Sequence, residues 1–155
     1  MIIEIPGFGD LNIEHIVCDY NGTLAAAGIT PEGVKGLLNR LAEQYKVHVI
    51  TADTFGTAEK ELQGVNCSVV IIESTNQNQA KLDYITGLGA DRCAAIGNGN
   101  NDRFMLKGAA LGICLVGDEG AFTGAISESE IICRNILDAL NLFLETKRLI
   151  ATLRS

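Results

Sequence analysis

Short β-branched, apolar runs alternate with segments of helical spacing from one end of the chain to the other, and this alternation limits the folds available. Ile13–Cys18, Val47–Thr51, Ser68–Ile72, Cys93–Ile96 and Leu111–Val116 are apolar at consecutive positions, so both faces of each strand are covered. Between them, Gly33–Gln44 carries Val34, Leu37, Leu38, Leu41 and Ala42 at helical spacing, with Thr30 and Pro31 as start signals. Thr57–Leu62, Asn78–Leu88 (stopped by Gly89), Asp102–Gly108 and Ile136–Glu145 read as further helices. Glu130–Cys133 reads as a weak strand. The pattern predicts a three-layer α/β/α, Rossmann-like fold around a mainly parallel sheet. Ile2–Ile5 and Ile13–Cys18, separated by Pro6-Gly7-Phe8-Gly9-Asp10, predict an N-terminal β-hairpin.

At 155 residues, 47% apolar and 20% charged, the chain suits one domain with a real core. No linker, repeat or low-complexity stretch divides residues 1–155; residues 13–145 form the expected core and 146–155 a basic, partly apolar C-terminal extension. A net charge of −7 argues against nucleic acid or an anionic membrane surface as partner. Met1–Pro6 lacks the features of a signal peptide, and no run approaches the roughly 20 apolar residues of a membrane span. Five scattered cysteines, with no Cys-x-x-Cys pair, argue against a disulfide framework and a zinc site. A cytoplasmic, membrane-free protein is expected.

Ligands of parallel α/β sheets sit beyond the carboxyl ends of the strands. Three polar clusters fall there: Asp19–Thr23, Thr51–Thr54 and Gly97–Asp102. After Ile16-Val17-Cys18, the Asp19 carboxylate would project into the crevice, Gly22 would let the chain turn, and Thr23 would face an anion. A carboxylate so placed can attack phosphorus; the same residues also read as an Asn-Gly turn with a polar partner. Thr51 can donate to a phosphate oxygen or satisfy backbone groups, and Asp53 can cap the following helix. Asp102 can hold Mg²⁺, cap the helix through Phe104, Met105 and Leu106, or do both. Lys81, in the helix before the third cluster's strand, can reach the crevice or be solvated. Lys60 and Lys107 are weaker candidates, and His15 and His48 read as structural.

In order and spacing, Asp19-Tyr20-Asn21-Gly22-Thr23-Leu24, Thr51, Lys81 and Gly97-Asn98-Gly99-Asn100-Asn101-Asp102 resemble the four signature motifs of the haloacid-dehalogenase-like superfamily. Thr51-Ala52-Asp53-Thr54-Phe55-Gly56-Thr57-Ala58 is similar to a run of the P-type ATPase phosphorylation domain, and Ala109-Ala110-Leu111-Gly112-Ile113 to the strand that follows its last motif. The likeness spans residues 13–145 and is nearest to the small soluble P-type-ATPase-like proteins. It implies a phosphatase-type hydrolase with Asp19 as nucleophile, Asn21 supplying a backbone carbonyl to Mg²⁺, and Thr51 and Lys81 binding the phosphoryl group. It further implies metal ligation at Asp19, Asn21, Asn98 and Asp102, and substrate contacts at Gly22, Thr23, Ala52, Asp53 and Asn101.

Residues 24–50 and 52–80 are too short to hold a cap domain. An open crevice is therefore expected, suited to a phosphorylated small molecule or phosphoprotein and closable by a second copy in a homo-oligomer. Two positions depart from the family pattern. Asn21 stands where related phosphatases carry an aspartate acting as general acid and base, and Asn98 where a metal-binding aspartate is usual. The expectation is a slow Mg²⁺-dependent hydrolase, with a non-catalytic phosphate- or partner-binding module as the alternative and dehalogenase chemistry as a minor one.

Overall fold

In the computed structural model, which describes residues 1–155, six parallel strands form the central sheet: β3 (His15–Asp19), β4 (Lys46–Thr51), β5 (Ser68–Ile71), β6 (Cys93–Gly97), β7 (Leu111–Leu115) and β8 (Ile131–Cys133). Their order is β5-β4-β3-β6-β7-β8, so the chain steps outward one way through β5 and the other way from β6. β3 and β6 flank the point of reversal, which opens a crevice at their carboxyl ends. The helices are α1 (Val34–Leu41), α2 (Thr57–Glu61), α3 (Gln77–Leu88), α4 (Arg103–Gly108), α5 (Thr123–Ser127), α6 (Ile136–Leu144) and α7 (Thr146–Leu153). No helix is long and apolar enough to cross a membrane.

The period-2 alternation of the strands divides the core into two layers. Ile16, Cys18, Val49 and Ile96 face Leu38, Leu41, Leu140 and Phe143 of α1 and α6. Val17, Ile50 and Ala95 face Ile85, Met105 and Leu106 of α3 and α4. No domain is inserted between β3 and α1 or between β4 and α3; the loops there and the short α2–β5 segment fill both intervals.

One expectation is corrected. The hairpin partner of β1 (Ile2–Ile5) is β2 (Gly9–Asn12), not Ile13–Cys18. Pro6-Gly7-Phe8 reverses the chain at once, with Gly7 at φ +79°, which leaves β3 free to pair on both edges with β4 and β6. The C-terminal extension 146–155 is core-packed: α7 packs on α6 and β1, and Leu149 is fully buried. Helix α5 had no counterpart in the pattern, because five residues hold little more than one helical turn.

Candidate active site

Asp19 is the last residue of β3, and alternation along that strand turns its side chain toward the α3 layer, together with His15 and Val17. α3 begins near the carboxyl ends of the strands, and Lys81, Tyr84 and Ile85, one turn apart, share its sheet-facing side. Lys81 reaches back over the strand ends. Its Nζ donates to Asp19 Oδ1 and Asp102 Oδ1, each at 2.7 Å. The ammonium is 1% exposed, Asp102 is fully buried and Asp19 nearly so. A lysine is tolerated at such depth because two carboxylates compensate it.

The carboxylates are held as firmly as the lysine. Asp102 lies in a 3-10 turn over Asn100–Asp102, and its Oδ2 accepts from the backbone N–H groups of Asn98 and Gly99, at 3.0 Å each. It stands at the N-cap position of α4 but makes no side-chain cap there, so the capping role expected of it is corrected. Both of its oxygens are taken by protein donors. Gly97 permits this approach: a β-carbon there would lie 2.6 Å from Asp102 Cβ and Cγ. Asp19 Oδ2 accepts from the Thr23 hydroxyl at 3.1 Å, and the same hydroxyl lies 3.2 Å from Asn98 Oδ1. Thr23 thus ties the first cluster to the third.

Burial, followed by the charge of Asp102, pushes the Asp19 carboxyl up to about 7, against the opposing pull of Lys81. Burial alone would depress Lys81; the charges of Asp19 and Asp102 outweigh it and raise the lysine. The ammonium is the fixed charge of the cluster, and Asp19, shared with a second carboxylate, is the group that can be neutralised.

Thr51 ends β4 one residue beyond Ile50, the parallel partner of Asp19. Its buried hydroxyl accepts from the Asp53 N–H at 3.1 Å, which leaves the proton free for donation. Asp53 itself accepts from the N–H groups of Phe55 (2.8 Å) and Thr57 (3.1 Å), bracing the turn into α2, and these bonds hold its carboxyl below the usual range. Ala52, beside it, is partly buried. Asn101 directs its amide to Gln77 Oε1 at 2.8 Å, so it joins the third cluster to the start of α3. Asn21 is exposed with no side-chain hydrogen bond, and none of the loop's backbone hydrogen bonds ends on its carbonyl. Gly22 turns the chain at φ +78°. Lys60 and Lys107 lie away from the cluster, the latter exposed and 3.8 Å from Glu128.

The oxygens least engaged by the protein are the Asn21 carbonyl, which accepts no hydrogen bond, and Asp19 Oδ2 and Asn98 Oδ1, which share the one Thr23 hydroxyl. No group of three or more His, Cys, Asp and Glu side chains gathers closely enough to cage a metal. A set of one carboxylate and neutral oxygens fits Mg²⁺, which binds through one or two carboxylates and keeps waters or phosphate oxygens.

One participant had no signal in the sequence. The loop between β7 and α5 reaches the crevice: Gly120 O accepts from Asn98 Nδ2 at 3.4 Å, and Phe122 N–H donates to Asn98 O at 2.9 Å. It carries Glu119 to a position over Gly22. Its local sequence, Gly117-Asp118-Glu119-Gly120, reads only as a turn.

The order and layering of the strands match the fold of solved haloacid-dehalogenase superfamily hydrolases, with no domain inserted between β3 and α1 or between β4 and α3. A 3-deoxy-D-manno-octulosonate 8-phosphate phosphatase from Moraxella catarrhalis, solved with magnesium, phosphate and the sugar acid, superposes with a TM-score of 0.70 at 18% identity, over 91% of this chain and 93% of that one. The cobalt-bound form of the corresponding Haemophilus influenzae phosphatase gives 0.72 at 12% identity, over 93% and 94%. A Legionella pneumophila hydrolase assigned to the superfamily's subfamily III A gives 0.69 at 16% identity, over 91% and 87%. No family model matches the sequence. An uncharacterized protein of Methanocaldococcus jannaschii is 57% identical over 60 residues, spanning 39% of this chain and 64% of that protein.

Proposed function

We propose that this protein is a Mg²⁺-dependent phosphohydrolase that works through an aspartyl-phosphate at Asp19. The observation that carries the reading is the buried Asp19–Lys81–Asp102 cluster at the topological switch point, with the Thr23 hydroxyl on Asp19 and Thr51 ending the neighbouring strand. A structural ion pair at a sheet end would not need two carboxylates on one lysine and a strand-end threonine with a free hydroxyl proton.

Lys81 orients Asp19 by holding Oδ1, which leaves Oδ2, held only by the Thr23 hydroxyl, as the attacking oxygen. Attack forms the Asp19–phosphorus bond as the bond to the leaving oxygen breaks, and the leaving group departs with the electron pair. Lys81 and the Thr51 hydroxyl offset the charge on the phosphoryl oxygens. Asp102 acts through Lys81, keeping the ammonium over the site. The Asn21 carbonyl and Asn98 Oδ1 would hold Mg²⁺ beside the Asp19 carboxylate, where the ion would neutralise phosphoryl charge and polarise the phosphorus centre. Water then attacks phosphorus as the Asp19–phosphorus bond breaks, releasing inorganic phosphate and the free Asp19 carboxylate, with the water's proton passing to solvent.

Asn21 can neither give a proton to the leaving group nor take one from that water. Loss of such a group typically costs ~10²- to 10⁴-fold. The reading therefore favours substrates with good leaving groups, acyl phosphates and activated aryl esters, and a long-lived phosphoenzyme. The open crevice suits a phosphorylated small molecule or a phosphoprotein; closure by a second copy of the chain in a homo-oligomer and a cytoplasmic setting belong to the same proposal.

Incubation with acetyl phosphate and Mg²⁺, followed by intact mass and peptide mapping, tests it. One phosphoryl group on Asp19, absent from Asp19→Asn, is expected. Phosphate bound tightly with no covalent adduct, or Mg²⁺-dependent turnover unchanged in Asp19→Asn, would turn the reading toward a non-catalytic phosphate-binding module.

A further inference from the structure

Asn98 removes a carboxylate from the metal side of the crevice, and the fold brings another to the same place. Glu119 sits in the turn Gly117–Gly120, closed by the Gly120 N–H donating to Gly117 O at 2.9 Å. Asn98 itself holds that turn down, through Nδ2 to Gly120 O and through its own carbonyl to the Phe122 N–H. The Glu119 carboxylate consequently lies over Gly22. A β-carbon at residue 22 would collide with Glu119 Oε2 and lie 2.9 Å from Asn98 Nδ2, so carboxylate and amide crowd one point. Gly22 thus has a second role besides its φ of +78°: it leaves the room this carboxylate occupies.

Glu119 is exposed on the cleft that Arg134 also lines. None of the molecule's ion pairs involves it, and the nearby Arg134 pairs with Asp138 instead. Its loop forms one wall of a cleft of about 120 Å³ whose other wall includes Gly22 and Thr23. Charge gives the orientation a meaning. With Asp19 ionised, Asp19, Asp102 and Lys81 together carry −1; Glu119 brings the site to −2, which matches a divalent cation and equals the charge of the family pattern with aspartate at 98.

We propose that Glu119 is a metal-site residue of this protein, supplying from the β7–α5 loop the negative charge that Asn98 lacks, directly or through a metal-bound water. The inference rests on the function proposed above and adds to it a residue outside the four motifs. It also gives Asn98 a positive reason: its Nδ2 donates to Gly120 O and anchors the loop, which an aspartate could not do.

Binding of Mn²⁺, followed by the electron paramagnetic resonance signal of the free ion, tests this without any turnover. Glu119→Gln should weaken binding about tenfold or more, as removal of a ligand charge does. Asp118→Asn, which removes an equal charge from the same turn, should change it by about twofold or less. Asn98→Asp introduced into Glu119→Gln should recover most of the lost affinity. Glu119→Gln binding as tightly as the parent, or losing no more than Asp118→Asn, would overturn the proposal and leave the aspartyl-phosphate reading intact. A parent protein that binds no Mn²⁺ would overturn both this proposal and the metal dependence of that reading. Circular dichroism of each variant checks the fold, which substitutions at exposed residues 118 and 119 should not disturb.

Discussion

Asp102 Oδ1 lies 2.7 Å from the Lys81 ammonium, at the same separation as Asp19 Oδ1, so one buried cation serves two carboxylates. Asp102 differs from Asp19 in having both oxygens bound by the protein, one by Lys81 and the other by two backbone amides. The fixed carboxylate anchors the lysine; the less restrained one is left for chemistry.

Lys81→Met should destabilise the protein by about 3–5 kcal/mol, because it strands buried carboxylates without their counter-ion. Urea unfolding at neutral pH measures this. Adding Asp19→Asn to Lys81→Met should restore part of the loss, since one stranded charge is then removed; additive effects of the two substitutions would contradict the shared-cation arrangement.

Gly97→Ala should lower stability by about 1–3 kcal/mol, the usual range for overpacking a tight site. The added methyl would meet Asp102 at 2.6 Å and push its carboxylate off Lys81. Labelling of Asp19 by acetyl phosphate should fall with it, whereas Gly36→Ala, where nothing lies within 4 Å, should leave labelling unchanged.

Asn21→Asp supplies a group able to transfer a proton to the leaving oxygen and from the attacking water. Decay of the phosphoenzyme, followed after removal of acetyl phosphate, should speed up by about 10²-fold or more. An unchanged decay would place the slow step elsewhere.

At the opposite end of the sheet, His15 Nδ1 lies 3.0 Å from His48 Nε2, and His48 Nδ1 lies 2.7 Å from the Tyr84 hydroxyl. Burial, then the charges of His15 and Lys46, pushes His48 down to about 4, and burial also lowers His15. The folded state holds His48 neutral while the unfolded chain protonates it near 6.5, so the unfolded state binds more protons between these values. Stability from this group is complete above about 6.5 and is lost as pH falls toward 4. The urea midpoint should decline from pH 7 to pH 5, and the decline should be shallower in His48→Gln.

Much of this was legible in the order of residues along the chain. The alternation of apolar runs and helical spacing carries the parallel sheet, because strands buried on both faces admit few other architectures. Asp19, Thr51 and Asn98 follow from strand ends, since the crevice of such a sheet lies where its strands stop. Helix α5 was too short for a periodic signal, and the Leu149 and Ile150 spacing of α7 lay inside a basic tail that read as an extension.

The sequence alone placed Asp19, Thr51 and the Gly97–Asp102 loop at strand ends, because a parallel sheet gathers its carboxyl ends on one side. Only the tertiary structure decided how the charges are shared: that Asp102 turns back to Lys81 and two amides instead of capping α4, and that Glu119 comes to rest over Gly22. Those outcomes depend on hydrogen bonds between loops distant in sequence. A single chain of letters carries local propensity and strand order, but not the angle at which one turn settles upon another.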